Sequence, residues 1–178
     1  MRASEILMQE HRNISRLIEV LKNASKKLIK GESIDPQIFI KGGSFITQYM
    51  EQKHHGKEEK MFDAMMNDYG FEKDKEPLRT FLIEHDQARS YTRALRQAAY
   101  QLDHKDNKSK EAVLHQASSY ILLLTHHIRN EDNNLFPLAD SKFSQETNKE
   151  LLKQFIEFDK NFPEKPLLEK LYQLEDLV

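Results

Sequence analysis

Two histidine–glutamate pairs in this sequence have the spacing of one helical turn. His127 precedes Glu131 by four residues, and His54 precedes Glu58 by the same interval. Four residues advance about 400° around an α-helix, so both side chains of a pair lie on one face. An imidazole nitrogen and a carboxylate oxygen on one face form half of a metal site. The two pairs therefore predict a site shared between two helices.

Two further histidines lie in apolar stripes with helical spacing. His11 falls between Leu7 and Ile14, and His85 occupies a corresponding position in a later stripe. The chain contains no cysteine, which excludes disulfides and thiolate ligands. Nitrogen and oxygen donors without thiolates suit iron, manganese or zinc. The candidate metal ligands are His11, His54, Glu58, His85, His127 and Glu131.

Each histidine and glutamate of the two pairs stands next to a residue of similar chemistry. Helical periodicity predicts which of the two adjacent residues faces the protein interior. His127 lies on an apolar stripe, whereas His126 lies on a mostly polar face. The same argument places His54 on an apolar stripe and His55 on a polar face. The predicted inward-facing residues are His54, Glu58, His127 and Glu131, and the predicted outward-facing ones are His55, Glu59, His126 and Asp132.

Other interpretations of these residues are simpler when each is taken alone. A single histidine in an apolar stripe is more often a hydrogen-bonded core residue, and a lone pair at this spacing is more often a surface pair. Buried carboxylates without partners are costly, however, and six such residues spread over four stripes favour a metal cluster. Two glutamates and four histidines predict two bridged ions. Water, oxide or hydroxide would complete their coordination and leave positions for a small molecule.

The elements that must position these residues are helices. Only 5 Gly and 5 Pro occur among 178 residues, which favours an all-α protein. Four long amphipathic segments with short connections predict an up-down-up-down four-helix bundle, followed by two short C-terminal helices. We predict a bundle over residues 1–140 and a C-terminal helical extension packed on it over 141–178. The predicted helices cover approximately 3–29, 36–67, 77–102, 109–135, 146–158 and 166–177.

Composition limits the classes of partner. The net charge is −2 with 31% charged residues, which provides no basic field for nucleic acid. No apolar run approaches the roughly 20 residues that span a bilayer, and the N-terminus lacks a signal-peptide pattern. We therefore predict a cytoplasmic protein without a membrane or nucleic-acid partner. The oligomeric state stays open.

The motifs, taken in order, resemble those of the hemerythrin-like, or HHE cation-binding, family. The matching pieces are Glu10-His11-Arg12, His54-His55-Gly56-Lys57-Glu58-Glu59, Glu84-His85-Asp86 and the run from His127 to Pro137. The resemblance implies a four-helix bundle around an oxo- or hydroxo-bridged non-haem di-iron centre, with manganese or zinc as alternatives. It implies that His11, His54, His85 and His127 are ligands and that Glu58 and Glu131 bridge the two ions.

Departures from the family pattern leave the function open. Oxygen-carrying hemerythrins have another histidine one turn from the third-helix histidine, where this chain has Phe81 and Arg89. They also use a bridging aspartate at the position of Asp132. The two-glutamate pattern is more similar to the iron-sensing, nitric-oxide-responsive and iron-repair members. The resemblance thus implies binding of O2, NO or peroxide, an iron- or redox-sensing module with a protein partner, or a di-iron peroxidase or oxidase.

Overall fold

The protein is all-α, and the computed structural model describes residues 1–178. None of the helices is both long and apolar enough to cross a membrane. The first helix ends at Ile29, and Gly31 follows it with a φ of 76°, a left-handed conformation that glycine adopts at little cost. The elements in chain order are α1 (Ala3–Ile29), α2 (Gln37–Phe45), a first π-helical segment (Ile46–His54), α3 (His55–Tyr69), α4 (Leu78–Tyr100), α5 (Asn107–Asn130), a second π-helical segment (Glu131–Leu135), α6 (Phe136–Lys142), α7 (Gln145–Asn161) and α8 (Glu164–Glu175).

Two of the long helical runs contain a π-helical segment that periodicity does not predict. In a π-helix the backbone hydrogen bonds run from residue i to i+5, so the side chains that follow are rotated relative to α-helical register. The first segment ends at His54, and the second begins at Glu131. Both π-helical segments thus lie at candidate ligands.

The predicted end of the fourth helix at Leu135 is wrong. The helical run continues through α6 to Lys142. Pro137 stands in the first turn of α6, directly after the π-helical segment, where the α-helical hydrogen-bond pattern is already interrupted.

Two apolar clusters fill the interior, and a layer of polar side chains separates them. On every long helical run the candidate histidine falls between a residue of the larger cluster and a residue of the smaller one. The flanking residues of the larger cluster are Ile14, Met50, Ala88 and Leu124. Those of the smaller cluster are Leu7, Met61, Phe81 and Leu135. The polar layer is therefore enclosed by hydrophobic packing at both ends.

The C-terminal helices complete both apolar clusters. Leu151 and Phe155 of α7 belong to the smaller cluster, and three leucines of α8 belong to the larger one. Polar contacts fasten α8 to the earlier helices. The guanidinium of Arg16 donates to Glu175 at 2.6 Å, and the hydroxyl of Tyr49 donates to Glu164 at 3.0 Å. Both C-terminal helices thus pack against the rest of the protein.

Candidate metal centre

All six ligand candidates predicted from the sequence are buried in the polar layer, where they meet. Their donor atoms fall into two groups, and within each group the atoms lie within 4.8 Å of one another. Glu58 belongs to both groups. The first group contains His11, His54, Glu58 and Glu131, and the second contains His55, Glu58, His85 and His127.

The two carboxylate oxygens of Glu58 face different groups. Oε1 lies 3.0 Å from Nε2 of His54, and Oε2 lies 3.3 Å from Nε2 of His85. Neither oxygen has a hydrogen-bond partner, although both are buried. A buried carboxylate without partners is costly, so a cation bound beside each of these oxygens would offset that cost.

Glu131 divides its oxygens in the same way. Oε2 lies 3.2 Å from Nε2 of His11, and Oε1 lies 3.2 Å from Nε2 of His127. Both oxygens are buried and lack hydrogen-bond partners. Each glutamate therefore extends one oxygen toward the first set of histidines and the other oxygen toward the second set.

A second row of carboxylates lies behind three of the histidines and fixes their tautomers. An ionised carboxylate only accepts hydrogen bonds, so the Nδ1 atom beside it must carry the ring proton. In the neutral ring, which is the form that binds a metal, Nε2 then has the lone pair and faces the centre of the layer. This is the arrangement in which carboxylates orient metal-binding histidines. The Nδ1-to-oxygen distances are 2.8 Å for His11 and Asp132, 3.0 Å for His54 and Glu10, and 2.7 Å for His127 and Glu84.

The electrostatic field of the layer favours positive charge. Burial by itself lowers the pKa of His54, but Glu58 and Glu10 raise it to about 10. Burial likewise lowers the pKa of His127, and Glu131 helps to raise it to about 10. Burial alone would raise the pKa of Glu58, yet His54 and other histidines hold it well below 4.5. Protons or a metal cation can supply the positive charge that these carboxylates attract.

His55 is a member of the second group that periodicity does not predict. Only 1% of its surface is exposed, and neither ring nitrogen has a hydrogen-bond partner. Its ring stacks on that of His85 with centroids 3.7 Å apart. Burial and the proximity of His85 hold its pKa well below 6.5, so the ring is neutral and its lone pair is available.

The predicted polar face for His55 is wrong for a local reason. The π-helical segment that ends at His54 rotates the following residues relative to the α-helical stripe, so both adjacent histidines enter the polar layer. Two sequence features could have indicated that His55 is buried. It follows another histidine, His54, directly, and it precedes a glycine, Gly56. The other predicted outward-facing residues agree better with the structure, because Glu59 and His126 are exposed and Asp132 is partly exposed.

Phenylalanine rings form apolar walls around the donor atoms. Phe136 stacks on His11 with centroids 5.6 Å apart, and Phe81 meets His127 edge-on at the same separation. Tyr120 is buried in the core, and its hydroxyl donates to the sulfur of Met50 at 3.3 Å. The tyrosine hydroxyl therefore points to a thioether and not to a carboxylate or histidine of the layer.

A surface cleft lies beside the first donor group. The cleft has a volume of about 470 Å³ and is lined by Met8, His11, Arg12, Ser15, Ile128 and Asp132. Among these residues His11 is the candidate ligand. A small molecule that enters the cleft would therefore reach the side of the layer where His11 lies.

Comparison with known proteins places this geometry in a sequence family. The family model described as "Hemerythrin HHE cation binding domain" matches residues 2–139. The matched segment includes both candidate donor groups and ends before α7. No curated protein and no solved structure gives a significant match to the chain.

Proposed function

This chain belongs to the hemerythrin HHE cation-binding family, and we propose that it binds two non-haem iron ions in the polar layer. One ion would take His11 and His54, and the other would take His55, His85 and His127. Glu58 and Glu131 would bridge them. The observation that carries this proposal is the division of each glutamate's oxygens between the two histidine sets. Manganese and zinc accept the same donors.

The protein's own contribution would be orientation and exclusion of water. Carboxylates behind the histidines hold their Nε2 atoms toward the centre, and phenylalanine rings keep the layer dry. Bound iron would supply redox chemistry and open coordination positions for a small ligand.

We further propose that O2, NO or peroxide binds on the side of His11. The surface cleft lies beside this residue. The first group has two histidines where the second has three, so fewer protein donors occupy its ion and more coordination positions stay open.

A second candidate function is an iron- or redox-sensing module that signals to a protein partner. It is supported by the close packing of α7 on the segment that carries His54 and His55. A Cβ added to Gly56 would lie 2.9 Å from Cε1 of Phe158. A change at the ligands would thus reach a helix outside the family-matched segment. A di-iron peroxidase or oxidase ranks lower because Tyr120, a buried tyrosine on the helix that carries His127, donates its hydroxyl to Met50 and not to a residue of the polar layer.

The arrangement of the helices belongs to the same proposal. We propose that the long helical runs form an up-down-up-down bundle over residues 1–140, and that residues 141–178 form a C-terminal extension of it. A cytoplasmic location and a protein partner stay predictions from the sequence.

Anaerobic titration of the apoprotein with Fe²⁺ tests the proposed centre. We expect two irons per chain, a charge-transfer absorption band after exposure to air, and a distinct spectrum with NO. Glu58→Ala should lose the bridged pair, whereas Glu59→Ala is a matched control because Glu59 is the exposed neighbour. Fewer than one iron per wild-type chain, or full iron loading of Glu58→Ala, would contradict the proposal.

A further inference from the structure

Two buried lysines lie directly behind the first donor group. Lys53 and Lys57 are 1% and 0% exposed, and both belong to the helical run that carries His54. A buried ammonium group is costly unless it is paired, so the carboxylates around these two lysines are structurally required. Two such carboxylates are present, Glu10 of α1 and Asp159 of α7.

Glu10 connects the lysines to a candidate ligand. Its Oε1 accepts from Nζ of Lys57 at 2.7 Å and lies 3.4 Å from Nζ of Lys53. Its Oε2 accepts from Nδ1 of His54 at 3.0 Å. The negative charge of Glu10 is therefore divided between two ammonium groups and the imidazole that faces the metal position.

Asp159 supplies the second negative charge. Its oxygens lie 2.7 and 2.8 Å from Nζ of Lys57, and it also pairs with Lys53. Asp159 lies outside the family-matched segment, which ends at residue 139. The ring of Phe155 lies beneath Lys57, with Nζ 5.7 Å from its centroid, and completes the contact between α7 and these lysines.

We propose that Asp159 is a positioning residue that sets the strength with which His54 binds its metal. With Asp159 in place, two lysine charges are balanced by two carboxylates. Without it, both lysines draw on Glu10, so less negative charge is available to the Nδ1–H group of His54 and the imidazole becomes a weaker donor. The uncompensated lysine also repels a nearby metal cation. Both effects reduce metal affinity.

By the same argument, metal binding should change how firmly α7 packs against the lysines. Coupling between two binding events is reciprocal, so a docked α7 that strengthens metal binding is itself held more firmly when metal is bound. This inference rests on the proposed metal centre and deepens the sensing function by naming Asp159 as the connection to α7.

The test compares Asp159→Asn with Glu157→Gln in the full-length protein. Both remove a carboxylate charge from α7, but Glu157 is exposed and pairs with Lys160. Fe²⁺ affinity is measured anaerobically by competition with a chelator. We expect Asp159→Asn to bind Fe²⁺ about tenfold more weakly than the wild type, because residues that orient metal ligands change metal affinity by about 10- to 100-fold. We expect Glu157→Gln to change the affinity by less than about twofold. Equal affinities of Asp159→Asn and the wild type would overturn the inference.

A double variant separates charge balance from a merely structural role. Lys53→Met removes one ammonium group, so Asp159→Asn combined with Lys53→Met again has equal numbers of lysine and carboxylate charges. We expect Fe²⁺ affinity within about threefold of the wild type, since coupled residues give non-additive effects. A double variant as weak as Asp159→Asn, or weaker, would overturn the charge-balance argument.

The outcomes distinguish this inference from the proposed function. A wild-type chain that binds no iron contradicts the metal centre and the inference together. Two irons bound equally well by the wild type and Asp159→Asn contradict the inference alone. If Asp159→Asn does not fold, the double variant carries the test, and a tenfold loss of its affinity would overturn the inference.

Discussion

At the scale of single residues, the two donor groups differ in the number of histidines. The third histidine of the second group is His55, which is buried against His85 and has both nitrogens free of hydrogen bonds. A neutral imidazole held in this position costs free energy unless a donor or a cation compensates it. His55 therefore provides a direct test of whether the second ion has three nitrogen donors.

We expect His55→Phe to lose one of two bound irons. The substituted ring can still stack on His85 but has no lone pair to bind the metal. Loss of a residue that only contacts a ligand lowers metal affinity by about 10- to 100-fold, so loss of a ligand itself should lower the affinity at the second position by more than about 100-fold. His126→Phe is the control because His126 is exposed. Iron per chain measured against free Fe²⁺ concentration separates the two positions. Wild-type loading of His55→Phe would show that this residue only packs against the site.

Glu10 makes a pH-dependent contribution to the stability of the apoprotein. Burial alone would raise its pKa, but His54 and Lys57 lower it from 4.5 to about 2. A carboxylate with a lowered pKa stabilises the fold above its unfolded-state pKa, and this stability is lost as pH falls through the folded-state value. The contribution is therefore complete above about pH 4.5 and disappears toward pH 2.

This shift corresponds to about 3 kcal/mol. We expect the difference in free energy of unfolding between wild type and Glu10→Gln to be largest near neutral pH and to shrink by about that amount toward pH 2. Urea denaturation of metal-free protein at a series of pH values measures it. A difference that does not change with pH would contradict the assigned ionisation of Glu10.

At the scale of elements, the helices were largely predictable and the π-helical segments were not. Hydrophobic periodicity placed six polar residues, among them His11 and His85, in the core because each interrupts an apolar stripe of its helix. A π-helical segment shifts the register within one turn. Hydrophobic periodicity is recognised over stretches of about 11–18 residues, which hide a local shift of register. The position of His55 in the polar layer could therefore not be predicted from residue spacing.

The ring of Phe158 in α7 lies against the backbone of α3 at Gly56. We expect Gly56→Ala to lower the free energy of unfolding by about 1–3 kcal/mol, because the added methyl group overlaps Phe158 and forces its ring out of the contact between α3 and α7. The overlap outweighs the roughly 1 kcal/mol by which alanine is favoured within helices. Urea denaturation of the apoprotein measures the effect.

A double-mutant cycle provides the control for this contact. Phe158→Leu removes the overlapping ring edge, so it should rescue much of the loss in Gly56→Ala. Strictly additive changes in free energy would show that the two residues do not limit the approach of the helices.

At the scale of the whole molecule, the C-terminal helices supply parts of the interior that the family-matched segment lacks. Their amphipathic stripes predict that they pack on something, and they complete both apolar clusters. The role of Asp159 was not predictable. Its partners Lys53 and Lys57 resemble ordinary surface lysines in the sequence, and the separation of more than a hundred residues leaves no local signal.

Truncation tests this dependence directly. A chain that ends at Asn161 loses α8 and its three buried leucines, Leu167, Leu171 and Leu174. Each contributes about 1.5–3 kcal/mol when buried, before the entropy of ordering the helix is subtracted. We expect this chain to fold with lower stability and to keep two irons, because Asp159 and Phe155 are retained.

A chain that ends at Lys142 should behave differently, although it contains the whole family-matched segment. It lacks Leu151 and Phe155 of the smaller cluster, and it leaves Lys53 and Lys57 with Glu10 as their only carboxylate partner. Leu151 and Phe155 each contribute about 1.5–3 kcal/mol when buried, so their loss together with that of the three leucines of α8 removes a large part of the 5–15 kcal/mol that stabilises a typical domain. We expect loss of the cooperative unfolding transition seen by circular dichroism, together with loss of iron binding. If this chain unfolds cooperatively and binds two irons, the bundle is independent of α7, and the contact between α7 and the buried lysines is not needed for the fold.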